Sequence, residues 1–172
     1  MADDHIATYL NDHLAGSVVA IELMENLEAA YEGKAIAGFI AQLRSEVEAD
    51  RKELEDLMSR LKVSESRTRK ASAWLTEKFT ELKLRLDDPA RGDLRLFESL
   101  EALSLGIEGK RSLWLALSAA ADVSPALRIV DYPRLIQRAE EQRRRAEAER
   151  LAVAKAALKL EQPTHAKSSS GE

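Results

Sequence analysis

The chain has 172 residues, 45% of them hydrophobic, which is enough for a single domain with a buried core. Its 26 basic and 30 acidic residues give a formal net charge of −4 and alternate along most of the chain, which argues against nucleic acid as a partner. The absence of cysteine excludes disulfides, thiolate zinc sites and cysteine nucleophiles.

The composition favours helices over strands, because glycine and proline are scarce, at 7 and 4 residues, and helix-forming residues dominate. The first residues are acidic where a signal peptide would be basic, and no apolar run approaches the roughly 18 residues that a membrane span needs. We therefore expect a cytoplasmic protein without membrane contact.

Two long helices are predicted first, over residues 4–31 and 35–62. Apolar residues recur in each at steps of three and four, which places them on one helix face. Gly33 lies in the short link, so the two helices should fold back on each other as an antiparallel pair.

Three further helices are predicted over residues 67–86, 93–121 and 131–160. The 67–86 segment is shorter and amphipathic, whereas the other two are as long as the first pair. Residues 161–172 have too little apolar surface to bury and are expected to form a disordered tail. The organisation is therefore one helical domain, residues 1–160, followed by that tail.

The order of four long helices with a shorter one in the middle resembles the ferritin-like superfamily. The resemblance implies an all-α, up-down four-helix bundle with an additional crossover helix between helices two and three. Family members with a di-metal centre carry Glu-x-x-His on two helices. Here Glu46 and Glu53 are followed three residues later by Ala49 and Asp56, and Glu140 and Glu141 by Arg143 and Arg144.

Polar residues that interrupt the apolar stripes are the candidate functional residues. In the first helix pair Ser17 should lie opposite Asp50, with His13 one turn away, which predicts a His13–Asp50 contact. A buried carboxylate beside imidazole would favour the charged ring and would serve as a metal-ligand pair, as a general acid and base, or only as a structural pair. We interpret it as structural, because most buried polar pairs do no chemistry.

The third long helix carries Glu101 and Glu108 at the edge of its stripe, near Arg111. These carboxylates have two alternatives. In the first, they join Glu46 and Asp50 in a carboxylate cluster. In the second, they pair with Arg143 and Arg150 of the last helix in a buried ionic network. We favour the network, because arginine neutralises acids without a metal.

Gly106 and Gly109 interrupt the same helix, where each glycine costs on the order of 1 kcal/mol relative to alanine. Close approach of a neighbouring helix is the interpretation we favour. The alternative is a cavity for a small ligand beside the two glycines.

The sequence thus leaves three functional hypotheses. The first is a non-catalytic binding or structural module without a cofactor, with a protein partner or a second copy of itself, built on a polar core network of His13, Ser17, Asp50, Glu108, Arg111 and Arg143. The second is a metal-binding protein or metal-dependent oxidoreductase with iron, manganese or zinc at a non-standard site of His13, Glu46, Asp50, Glu101 and Glu108. The third is small-ligand binding in the bundle core.

Overall fold

The computed structural model describes residues 2–64 and 92–160, with side chains from residue 5 onward. The described part of the chain is all-α, as predicted, and contains no strand. Its four helices, numbered in chain order, are α1 (Ala2–Ala30), α2 (Ala35–Arg60), α3 (Gly92–Ala120) and α4 (Tyr132–Ala157), with a short 3-10 turn at Pro125–Leu127 before α4.

The ends of these helices lie close to the predicted bounds, and the largest difference is at the end of α4, predicted at Leu160 and observed at Ala157. Gly33 takes a φ of 78° in the turn between α1 and α2, a left-handed conformation that glycine adopts without strain. The helix α4 begins after Asp131, whose carboxylate accepts a hydrogen bond from the backbone N–H of Arg134 at 3.2 Å.

The four helices form two antiparallel hairpins, α1 with α2 and α3 with α4. The Tyr31 hydroxyl, just after α1, donates a hydrogen bond to the carbonyl of Gly92 at the start of α3. The helix α3 therefore runs antiparallel to α1 and in the same direction as α2.

The core is divided into two apolar clusters, one towards each end of the bundle. The first contains the second half of α1, the first halves of α2 and α3, and Ala139 and Ala146 of α4, with Met24, Ile40, Leu43 and Leu100 fully buried. The second contains the opposite halves of these helices and the first turns of α4, including Leu10, Leu57, Trp114 and Leu135. The bundle-like packing therefore buries the predicted stripes.

Two predictions, the 67–86 crossover helix and the disordered tail over residues 161–172, lie outside the described residues. Among the helices that are described, none combines the length and the apolar character that crossing a membrane would require.

Candidate functional site

A charged group lies inside the bundle near the boundary of the two apolar clusters. Asp50 of α2 is 2% exposed and accepts hydrogen bonds from the Lys110 ammonium and from Gln142 Nε2, the latter at 2.9 Å. Lys110 also donates to Gln142 Oε1, and Arg138 forms an ion pair with the other Asp50 oxygen. The carboxylate thus joins α2, α3 and α4.

Burial and pairing act in opposite directions on Lys110. Removal of the ammonium from water lowers the pKa of Lys110 from its usual 10.5, whereas the charge and hydrogen bond of Asp50 raise it. Because Arg138 is permanently charged and also contacts Asp50, the group carries one carboxylate and two cations when Lys110 is protonated.

The predicted contact between His13 and Asp50 is wrong. Within the described residues, no hydrogen bond or ion pair joins the two side chains, and the Tyr9 ring instead packs edge-on against His13 with centroids 4.7 Å apart. The expected pKa direction is also reversed, because desolvation lowers the pKa of His13 from 6.5 and outweighs the raising effect of Asp12. The Asp50 carboxylate is bound by side chains of α3 and α4, and not by His13 of α1.

A neutral, partly buried histidine makes stability depend on pH in a defined direction. The folded pKa of His13 lies below its unfolded value, so the unfolded chain binds more protons as the pH falls through about 6.5. We expect the free energy of unfolding to decrease over that range by more in the wild type than in His13→Gln. Urea unfolding at a series of pH values measures the difference, and a histidine titration midpoint above 6.5 for His13 by NMR would contradict it.

The other carboxylates of the predicted metal site form ion pairs with arginines. Glu46 binds Arg145, Glu101 lies 3.2 Å from Arg150, and Glu108 lies 3.0 Å from Arg111 and 3.4 Å from Arg143.

No three histidine, aspartate or glutamate side chains within residues 5–64 and 92–160 are placed to hold a metal ion. The four predicted carboxylate ligands are each in ion pairs with lysine or arginine, and metal binding at a non-standard site stays a prediction.

The ionic network favoured from the sequence is present, but it is not buried. Arg143 is 46% exposed and Glu101 is 51% exposed, so both lie at the edge of the α3–α4 hairpin. Exposed ion pairs of this kind contribute about 0–1 kcal/mol each. Ser17, the remaining member of the predicted network, donates to the carbonyl of Leu14 in its own helix.

A cleft of about 600 Å³ lies between α1, α2 and α3. Its wall is mostly apolar, and Asp12, His13, Asp50 and Lys110 contribute polar groups towards the end where α1 begins. Between Asp12 and Met24 the wall follows α1 for about 18 Å, at 1.5 Å per residue. The residues lining the apolar part include Ala20, Met24, Leu43, Val47, Leu103 and Ile107.

Three helical glycines line this cleft, Gly16 on α1 and Gly106 and Gly109 on α3. A Cβ atom added at any of the three would meet no heavy atom within 4 Å. The interpretation that Gly106 and Gly109 permit close helix packing is therefore wrong. These glycines face open space, as the alternative of a cavity requires.

No protein-family model, curated protein or solved structure matches the chain.

Three of the charged or polar residues around Asp50 had no predicted role, namely Lys110, Arg138 and Gln142. Lys110 lies three residues after Ile107 and three before Leu113, both buried, so it occupies a stripe position that the sequence pattern already defines. Gln142 is likewise fully buried between Ala139 and Ala146. The sequence signal for the contact with Asp50 is a lysine and a glutamine on the apolar stripes of two paired helices.

Proposed function

We propose that the protein is a non-catalytic binding module that holds a small, mostly apolar molecule in the cleft between α1, α2 and α3. The observation that carries the proposal is the cleft itself. Its volume of about 600 Å³ falls in the range of about 300–1,000 Å³ that is usual for small-ligand sites, and its apolar wall with a few polar groups is typical of them.

The glycines support the same proposal. Glycine in the interior of a helix is destabilising by roughly 0.5–1 kcal/mol relative to alanine, and neighbouring atoms leave room for a side chain at all three positions. Larger side chains at Gly16, Gly106 and Gly109 would occupy the cleft. Binding of a molecule in the cleft is a physical reason why these three positions have no larger side chain.

A binding role is favoured over catalysis by Lys110, because its ammonium is held by Asp50 and Gln142, and Arg51 of the same cleft pairs with Glu55 at 2.6 Å. A lysine nucleophile needs a neutral amine with a free lone pair, whereas the Lys110 ammonium donates to both of its partners.

We also propose that the arrangement of the helices is the ferritin-like one. Two antiparallel hairpins, with α2 and α3 in the same direction and α1 antiparallel to α3, support this topology. The topology carries no function by itself, because one fold serves many functions.

Blocking the cleft with one side chain tests the binding proposal. We expect the wild type to bind the uncharged fluorescent probe N-phenyl-1-naphthylamine at one site, and Gly16→Leu to weaken binding by at least about tenfold, because the leucine occupies the cleft. The measurement is the increase of probe fluorescence on titration with protein.

Gly38→Leu is the matched control, since Gly38 also lies inside a helix with open space around it but does not line the cleft. It should bind the probe as the wild type does. No probe binding by the wild type, or equal binding by both variants and the wild type, would overturn the proposal.

A further inference from the structure

The cleft is elongated along the axes of the three helices that form it. Each helix lines it over nearly the same length, from Asp12 to Met24 on α1, from Leu43 to Leu54 on α2 and from Leu103 to Trp114 on α3. At 1.5 Å per residue, these stretches measure about 16–18 Å. A compact cavity of about 600 Å³ would be only about 8 Å across. The free space is therefore drawn out in one direction.

Small residues line the middle of the cleft, and large residues limit its length. Gly16, Ser17 and Ala20 lie on the α1 side of the middle, and Gly106 and Gly109 lie on the α3 side. The helix α1 runs antiparallel to α2 and α3, so both ends are lined by large buried residues, namely Met24, Leu43 and Leu103 at one end and Leu54, Leu113 and Trp114 at the other. The cleft therefore has a defined length.

The polar side chains of the wall do not require a polar group in the bound molecule. The charges of Lys110 and Arg51 are paired with those of Asp50 and Glu55. Three polar atoms of the wall without a hydrogen bond among the described residues have less than 1 Å² of accessible surface each, so a bound molecule does not reach them: Asp12 Oδ1, Asp50 Oδ1 and Trp114 Nε1. Contact with the molecule is thus made mainly by apolar groups.

We infer that the cleft takes a single unbranched hydrocarbon chain that lies along the helix axes. An extended chain of atoms covers about 3.3–3.6 Å in three bonds, or about 1.2 Å per bond, so about 18 Å accommodates about fifteen bonds. A fused-ring molecule of the same volume is too short to reach both ends. The inference rests on the proposed function, because it names the ligand class of the same cleft.

A series of straight-chain alcohols tests the length of the cleft, because its members share an uncharged head and differ only in chain length. The series runs from octan-1-ol to octadecan-1-ol in steps of two carbons. We expect affinity to rise about fourfold for each buried methylene up to about 14 carbons. From 16 to 18 carbons it should change by less than about twofold, since the added carbons find no apolar wall. Displacement of N-phenyl-1-naphthylamine from the wild type, with each alcohol below its solubility limit, gives the affinities.

Gly106→Leu should shorten the chain that the cleft accepts. Gly106 lies three residues, about 4.5 Å, from the Leu103 end, so a leucine there leaves roughly 12 Å, or about ten bonds. Octan-1-ol should bind as it does to the wild type, whereas tetradecan-1-ol should bind at least about tenfold more weakly. The increase in melting temperature on binding measures both without the fluorescent probe. Gly38→Leu, away from the cleft, is the matched control and should keep the wild-type length limit.

The outcomes separate this inference from the proposed function. Wild-type affinity that levels off below about 12 carbons, or that still rises at the same rate from 16 to 18, would overturn the single-chain ligand and leave the binding function intact. The same length limit in the wild type and in Gly106→Leu would overturn it as well. If neither the probe nor any alcohol binds, the inference and the proposed function both fail.

Discussion

Replacement of Asp50 by alanine is expected to lower the free energy of unfolding by about 3–5 kcal/mol, because it leaves the buried Lys110 ammonium without its counter-ion. A domain of ordinary stability has about 5–15 kcal/mol, so the loss is a large fraction of the total. Asp50→Asn keeps an acceptor for Lys110 and should lose less. Urea unfolding followed by circular dichroism measures both variants.

The pH dependence of stability distinguishes the loss of this ion pair from general damage to the core. Without Asp50 the pKa of Lys110 falls further, so between that lowered pKa and the usual 10.5 the unfolded chain binds more protons than the folded one. The stability of Asp50→Ala should therefore rise as the pH increases towards 10.5, over a wider pH range than that of the wild type.

The control removes Asp50 together with its partners Lys110 and Gln142, and it leaves Arg138, which is 27% exposed and lies 3.9 Å from Glu53. Asp50→Leu combined with Lys110→Met and Gln142→Leu replaces the three by apolar groups and should recover most of the loss, because similar replacements are often neutral or stabilising. A triple variant no more stable than Asp50→Ala, with no difference in pH dependence, would contradict the role given to the ion pair.

The second large effect is a gain in stability from the glycines of the cleft. Changing Gly16, Gly106 and Gly109 together to alanine is expected to raise the free energy of unfolding by about 1.5–3 kcal/mol, because each change restricts the unfolded chain and meets no neighbouring atom. The melting temperature and the urea midpoint should both increase.

Two single variants of other glycines are controls with opposite expected effects. Gly38→Ala, in α2 and away from the cleft, should be stabilising by a similar amount per residue. Gly33→Ala should be destabilising, because its φ of 78° is strained for alanine. A destabilised triple variant would mean that the three glycines do not face open space.

The four described helices were predictable because apolar residues recur at steps of three and four along each of them, with few polar interruptions. The link at Gly33 and the cap at Asp131 carry local signals in the sequence itself. The end of α4 was placed too late, since Leu160 continues the apolar pattern although it is exposed. A hydrophobic pattern shows which face a helix buries, but not where its neighbours end.

The site was less predictable because it depends on contacts between the hairpins. The sequence placed Asp50 correctly in the core and paired it with His13, using the register of the first hairpin alone. Its actual partners, Lys110 and Gln142, are 60 and 92 residues away along the chain. The spacing of residues within one hairpin carries no information about which side chains of the other hairpin reach them.

Because the cleft lies between the two hairpins, a bound molecule affects how stably the hairpins pack together. The helix α1 packs mainly on α2, and α3 packs mainly on α4, whereas the cleft lies between α1 and α3 from Asp12 to Met24 of α1. A molecule that fills the cleft would contact both hairpins and act as part of the core between them. Its occupancy would then contribute to holding the two halves together, by about 2.7 kcal/mol at a concentration one hundred times its dissociation constant.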